Sequence, residues 1–317
     1  MSIPPNIDVV LSFAPYGKFL QIPRQLSKRR NGNKPIFVHW NTEEIPDLRL
    51  PPAVMNTIAD VRSWSGRLAD AESPFIQALN RCPPLSWIDK RMNRFRYVGD
   101  YRYAAQQGWI DVYADISEVR ASFYRQNGLQ ALFVPWGSVP DWHDNLRLER
   151  DIDVLWFGKR RNRRRSHLLD KIRDQLLAHG VKMHVIDGIE HPFVYDQERT
   201  HLLNRAKITL NLLTQWSDAT LPFRFSLAAA NQSLVVSEPV LDHNPLCQPG
   251  QHYVSAPVTS LVDTILFYLK NNAERARIVQ NAYHLSTTDL TLTRSLQTLL
   301  NTVHATRPVK QHTLEIV

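Results

Sequence analysis

Short apolar runs rich in β-branched residues alternate along the chain with longer stretches of helical period, the pattern of parallel sheets built from βαβ units. A first set of candidate strands falls at 7–13, 35–40, 109–113 and 132–135, with helices on either side of the third. Ser117 suits the N-cap of the helix running through Tyr124, and Gly128 its stop. Residues 44–90 hold several prolines and no sustained period, so no element is assigned there.

A polar stretch at 137–150, with Pro140, Asp141 and Asn145, reads as a linker. Beyond it come a strand at 152–157, a helix at 166–179 closed by Gly180, and strands at 181–186, 208–213 and 233–237. Two amphipathic helices between 261 and 283 are separated by Asn271 and Asn272, and a last helix covers 290–304. The expectation is an α/β chain of two domains, 1–145 and 146–317.

Composition narrows this little. Hydrophobic residues make up 43% and charged residues 21% of 317, enough for two self-supporting cores. Cys82 and Cys247 stand in unrelated contexts, so neither a disulfide framework nor a cysteine metal site can be assembled. With no apolar stretch after the first residues and none later of spanning length, a cytoplasmic protein is expected. A net charge of +8 favours phosphate-bearing partners or an anionic membrane surface.

The run Gly158, Lys159, Arg160, Arg161, Asn162, Arg163, Arg164, Arg165 sits directly after a candidate strand and before a helix. A helix N-terminus directs unpaired N–H groups and partial positive charge at whatever lies there, so arginines crowded at that end cost stability unless an anion answers them. One reading is a diphosphate clamp, with Gly158 permitting close backbone approach and Lys159, Arg160 or Arg161 neutralising charge; the other is a solvated basic loop. Further on, a loop through Phe223, Arg224, Phe225 and Ser226 enters the small-residue helix Ala228, Ala229, Ala230, Asn231. Arg224 and Ser226 lie near its first turn, where they could reach a phosphate; alternatively the phenylalanines are core and Arg224 is a surface ion pair.

In the first half, Tyr16 and Gly17 follow the first strand, where a glycine lets backbone N–H groups approach a phosphate or sugar. His39, Trp40 and Glu43 end the next strand, where α/β sheets place ligands. Trp40 could stack on a sugar, while His39, Glu43 or Asp100 could act on a hydroxyl proton. Their other reading is a buried aromatic with capping polar groups.

Four pieces in order carry a resemblance: Asp153-Val154-Leu155-Trp156-Phe157-Gly158, then Ala206-Lys207-Ile208-Thr209-Leu210-Asn211, then Arg224-Phe225 with the alanine-rich helix, then Pro249-Gly250-Gln251-His252-Tyr253-Val254. Over 151–283, rather under half the chain, they resemble the C-terminal donor-binding domain of GT-B glycosyltransferases, most like the bacterial group related to the spore-maturation protein CgeB. That implies two Rossmann-like domains facing a cleft, the final helices packing back on the first. It also implies hexosyl transfer from a nucleotide-diphosphate sugar, bound by the second domain, to an acceptor on the first; a polysaccharide, lipid-linked sugar, protein or small molecule would serve. Asn211, Asp218 and Glu238 are the candidates for nucleoside or sugar. Many relatives carry a glutamate for the ribose in the alanine-rich segment, followed by a glycine; here the glutamate position reads Ser226 or Leu227, and the glycine Asn231.

Phosphate-binding glycine loops, the dinucleotide fingerprint and the zinc-protease and serine-hydrolase motifs are absent. The aspartate-flanked metal signature of the other large glycosyltransferase fold is missing too. No metal and no cofactor beyond the nucleotide-sugar co-substrate is therefore expected, and positive side chains would stabilise the departing diphosphate. The rival classes are a nucleic-acid-binding protein, prompted by the arginine run but resembling no known reader module, and a GT-B-shaped subunit that binds without catalysis.

Overall fold

Two parallel sheets organise the computed structural model, which describes residues 7–13, 20–28, 34–43, 50–69, 93–160, 162–214, 223–241 and 245–306. The chain divides into unit 1, residues 1–134 with 298–317, and unit 2, residues 135–297. Each is Rossmann-like. Among the described residues no helix is long and apolar enough to cross a membrane.

Unit 1 sets β1 (Val9–Phe13), β2 (Ile36–Asn41), β3 (Val112–Asp115) and β4 (Ala131–Phe133) side by side in chain order. Because the chain steps the same way each time, right-handed crossovers bring the connecting helices to one face. Those described are α1 (Gln21–Ser27), α2 (Pro52–Ala69), α3 (Asn93–Gln106) and α4 (Glu118–Gln126). One core cluster accordingly joins Leu26, Met55, Ala59, Val98, Tyr101, Ala121 and Tyr124 to Phe37 and Tyr113 of the sheet. Ser117 caps α4 as expected, its hydroxyl accepting the Arg120 N–H at 3.2 Å. Helix α2, inside the stretch left without an element, packs on α3 so closely that a Cβ on Gly99 would stand 2.0 Å from the Ala59 carbonyl oxygen. Only glycine fits that crossing.

Unit 2 contains β5 (Ile152–Phe157), α5 (Arg163–Ala178), β6 (Met183–Ile186), α6 (Asp196–Arg205), β7 (Ala206–Asn211), α7 (Arg224–Ala230), β8 (Leu234–Ser237) and β9 (Val254–Ser255). After these come α8 (Leu261–Lys270), α9 (Asn272–His284) and α10 (Leu292–Thr306), whose residues from 298 on count with unit 1. The strand order β6-β5-β7-β8-β9 reverses direction at β5, so helices cover both faces. Val154 and Trp156 pack toward Leu169, Ile172 and Leu261, while Leu155 packs toward Leu203, Phe225 and Ala228. Burial of each large side chain contributes about 1.5–3 kcal/mol.

The stretch read as a linker is bonded into unit 2. Ser138 donates its N–H to Leu290 O and accepts from Leu292 N–H, both at 2.9 Å. The Leu146 N–H donates to Asn204 Oδ1 at 3.1 Å, and Arg150 donates to Ala206 O at 2.5 Å. Side-chain amides and a guanidinium satisfy this irregular backbone, and the division falls at 134/135, ahead of the expected limit of 145.

Asn231 is part of the same fastening. Its Nδ2 donates to Trp142 O at 3.0 Å and Leu227 O at 2.9 Å, while Oδ1 accepts from Asn204 at 2.9 Å. Its φ is −103°, so nothing there calls for glycine. The residue that does adopt the left-handed region is Gln232, with φ of 59°. Replacing Gln232 by glycine should raise stability by up to about 1 kcal/mol, read as a higher denaturant midpoint with an unchanged slope; a lower midpoint would contradict it.

Candidate functional site

The strand order switches between β5 and β7, and open α/β sheets bind ligands at the carboxyl ends beside such a switch point. Gly158 follows β5 with φ of 137°, a conformation that L side chains rarely adopt. The space its missing side chain leaves is filled by Arg224, whose Nη2 lies 2.4 Å from where a Cβ would stand.

Arg224 opens α7 and reaches back across both strand ends. Its Nε donates to Phe157 O at 2.7 Å and its Nη1 to Asn211 Oδ1 at 3.0 Å. Asn211 is held in turn, its Nδ2 donating at 2.8 Å to Ser237 Oγ, which donates at 2.7 Å to Glu238 O. The guanidinium also stands 5.5 Å from the Trp156 ring centre and 5.8 Å from that of Phe157. Burial, with a smaller contribution from Arg165, lowers its pKa to about 9, so it remains a cation at neutral pH. Among the described residues no carboxylate lies within ion-pair distance of it. Arg224 is half-buried, so its charge is partly desolvated without a counter-ion, and an anionic ligand would supply what is missing.

The arginine run itself is differently engaged. Arg160, expected in the clamp, donates to Asp187 at 2.6 Å, Asp170 at 2.7 Å and Glu190 at 2.8 Å, so three carboxylates already answer its charge. Arg164 is ion-paired with Glu238, whose Oε1 also accepts the Leu213 N–H at 2.8 Å. Glu238, expected near the nucleoside or sugar, is buried at the end of β8 and committed to this pair. Arg165 donates to Lys159 O at 3.2 Å and Thr214 Oγ1 at 2.7 Å, and the N-cap Asn162 donates to Thr214 O at 2.6 Å. The segment after β7 is thereby fastened to the start of α5. The Lys159 side chain is exposed and has no ion-pair partner among the described residues. Ser226 is buried in the first turn of α7. Arg161 and Asp218, like Tyr16 and Gly17 of the first unit, lie outside the described residues.

Of the acid–base candidates in unit 1, two are removed by their surroundings. His39 is buried within β2, its Nδ1 3.3 Å from Ser12 Oγ and its ring 4.7 Å from that of Tyr101. Burial drives its pKa down to about 3, leaving a weak base in the core. Asp100 faces α2, accepting from Ser63 at 2.6 Å and from Arg96 at 3.4 Å; it belongs to the helix crossing. Trp40 is core as well, its indole N–H donating to Val134 O at 2.9 Å, and is no sugar platform. Glu43 stands just beyond β2 and is only half-buried. The buried pair of Asp115 and Arg120, 2.8 Å apart, escaped the sequence reading; Asp115, two residues before an N-cap serine, is its only local trace.

Residues 160–301 match the family described as glycosyl transferase-like. No curated protein matches the chain. Among solved structures, TarM superposes with a TM-score of 0.59 at 11% identity, over 93% of this chain and 54% of TarM, so the chain spans about half that protein. HepE from Anabaena, solved with UDP, gives 0.54 at 8% identity over 94% of this chain and 100% of HepE. Sucrose-phosphate synthase from Thermosynechococcus elongatus gives 0.55 at 11% identity, over 94% and 74% respectively. At 8–11% identity these superpositions show that the chain shares its fold with these structures. The family match is confined to residues 160–301, less than half of the chain.

Proposed function

We propose that the protein transfers a hexose from a nucleotide-diphosphate sugar, held by unit 2, to a hydroxyl acceptor. The observation that carries this is Arg224, a half-buried cation at the carboxyl ends of β5 and β7 with backbone and amide partners but no carboxylate among the described residues. In this reading Arg224 and the exposed Lys159 take the diphosphate, and the charge developing on the leaving group strengthens those contacts in the transition state, without a resident metal. Asn211 orients the guanidinium, and Glu238 orients Arg164. The ion pairs on Arg160 and Arg164 disfavour nucleic acid, because those cations are already answered. UDP is the first nucleotide to try, since HepE is solved with UDP and with UDP-glucose.

A melting-temperature screen of UDP, GDP, ADP and TDP tests the donor site, because a ligand that binds only the folded state must raise the midpoint. One of them should give a clear rise; none doing so would remove the reading. Release of UDP from UDP-glucose then separates an enzyme from a subunit that binds without turnover, a second reading favoured by Ser226 and Leu227, the two positions that could answer to the ribose glutamate of relatives, being buried and not acidic. Gly158→Ala gives an independent check. The added Cβ would collide with the Arg224 guanidinium, so nucleotide affinity should fall about ten- to a hundredfold by calorimetry. Unchanged affinity would show that the diphosphate does not depend on this guanidinium position.

A further inference from the structure

At the carboxyl end of the sheet in unit 1, a buried polar network converges on one short segment. Asn41, the last residue of β2, is paired in register with Asp115, the last of β3, and neither is exposed to solvent. Asn41 Nδ2 donates to Asp115 Oδ2 at 2.7 Å, and its Oδ1 accepts the Tyr101 hydroxyl at 3.2 Å. Asp115 Oδ1 accepts from Arg120 Nε at 2.8 Å and from the Ser117 N–H at 2.9 Å. The same Asn41 amide takes hold of Glu43 at both backbone groups, accepting its N–H at 3.2 Å and donating to its carbonyl at 3.1 Å. Buried amides and carboxylates are costly unless satisfied, and here their satisfaction immobilises the backbone of Glu43.

The Glu43 carboxylate has no hydrogen-bond or ion-pair partner among the described residues. The other described acids of this unit are paired, Asp60 with Arg102, Asp100 with Arg96, Asp111 with Lys34, Asp115 with Arg120 and Glu118 with Arg125; Asp8 is the exception, at the opposite end of β1. In a chain of net charge +8, an unanswered carboxylate on a fixed backbone is conspicuous. At the same carboxyl edge of the sheet, Phe13 ends β1 with 42% of its surface exposed, in register with Trp40 and 5.6 Å from it ring to ring.

We propose that Glu43, positioned by Asn41 and Asp115, is the hydroxyl-binding group of an acceptor site in unit 1 that takes a saccharide, with the exposed ring of Phe13 covering the apolar face of the sugar. A saccharide presents hydroxyl donors around a CH-lined face. An ionised carboxylate accepts only, so it can take two such donors at once, and an aromatic ring matches the CH face. Asn41 and Asp115 act through Glu43 and are positioning residues. This assignment rests on the transferase reading for its meaning as an acceptor site, but its test does not depend on the donor.

The full chain is probed on an array of printed mono- and oligosaccharides, with the UDP-induced rise in melting temperature measured on the same samples. The parent should bind a subset of the saccharides. Glu43→Gln, which removes the charge and breaks no contact in the structure, should weaken them about ten- to a hundredfold while leaving the UDP response intact. Glu43→Asp should recover part of the loss, and Asn41→Ala should reproduce it with Glu43 still present. Undiminished binding by Glu43→Gln overturns the proposal. Absence of any saccharide binding in a parent that responds to UDP also overturns it and leaves the donor site standing. Loss of binding in Glu43→Gln when UDP has no effect on any sample supports the saccharide site and removes the transferase reading instead.

Discussion

Arg224→Ala should lose nucleoside diphosphate affinity by about two to three orders of magnitude, the range for charge-assisted donors at a developing anion, with no loss of melting temperature in the unliganded protein. The second half of that expectation distinguishes a ligand-binding arginine from a structural one. An arginine that serves only the fold leaves its partners unsatisfied when deleted, and the deletion costs stability. Arg224 answers a carbonyl oxygen and an amide oxygen, and its folded-state pKa, about 9, lies below the usual guanidinium value. A base whose pKa falls on folding opposes folding fully at pH below the folded value, and that opposition fades as pH rises through about 9 and beyond. At neutral pH the unliganded protein therefore bears the whole cost, and alanine removes it. Arg224→Lys should not restore binding, because a point charge cannot bridge Phe157 O and Asn211 Oδ1 as the planar fork does. Calorimetry with UDP and melting curves of both variants check the two halves; a strongly destabilised Arg224→Ala protein that still binds UDP would reverse the assignment.

Asp115→Ala should destabilise the protein by about 3–5 kcal/mol, the cost of breaking a buried ion pair from one side. Asp115 and Arg120 are both fully buried, and the carboxylate also holds Asn41 and the start of α4. Denaturant unfolding should show the loss chiefly in the transition of unit 1, with the UDP response of unit 2 retained under native conditions. A loss below about 1 kcal/mol, the size of an exposed pair, would show that Arg120 does not depend on Asp115.

Local patterns were legible in the sequence where the cause is local. The strand before Gly158, the Ser117 cap and the alanine helix that Arg224 opens all appear where their residues predict them. Which arginine keeps its charge unanswered was not legible, because the carboxylates on Arg160 come from Asp170, Asp187 and Glu190, brought near only by folding. His39 misled for a related reason: β2 is buried on both faces, so a polar residue near its end reads as a rim group while lying in the core. Helix α2 hid because it is apolar on two sides. Met55 and Ala59 face the core while Val61 and Trp64, each 57% exposed, face out, and the helical period is blurred. At the end of α7 the residue in the left-handed region is Gln232, one beyond Asn231, a backbone detail that the sequence pattern does not announce.

The central claim is that a nucleoside diphosphate sits at the carboxyl ends of β5 and β7 with its phosphates on Arg224. A crystal structure of the protein grown with UDP tests it most directly. Phosphate oxygens should lie within hydrogen-bond distance of the Arg224 guanidinium, with Gly158 beside them and Arg160 still bound to its three carboxylates. UDP bound elsewhere, or phosphates held by Arg160 with Arg224 untouched, would contradict it.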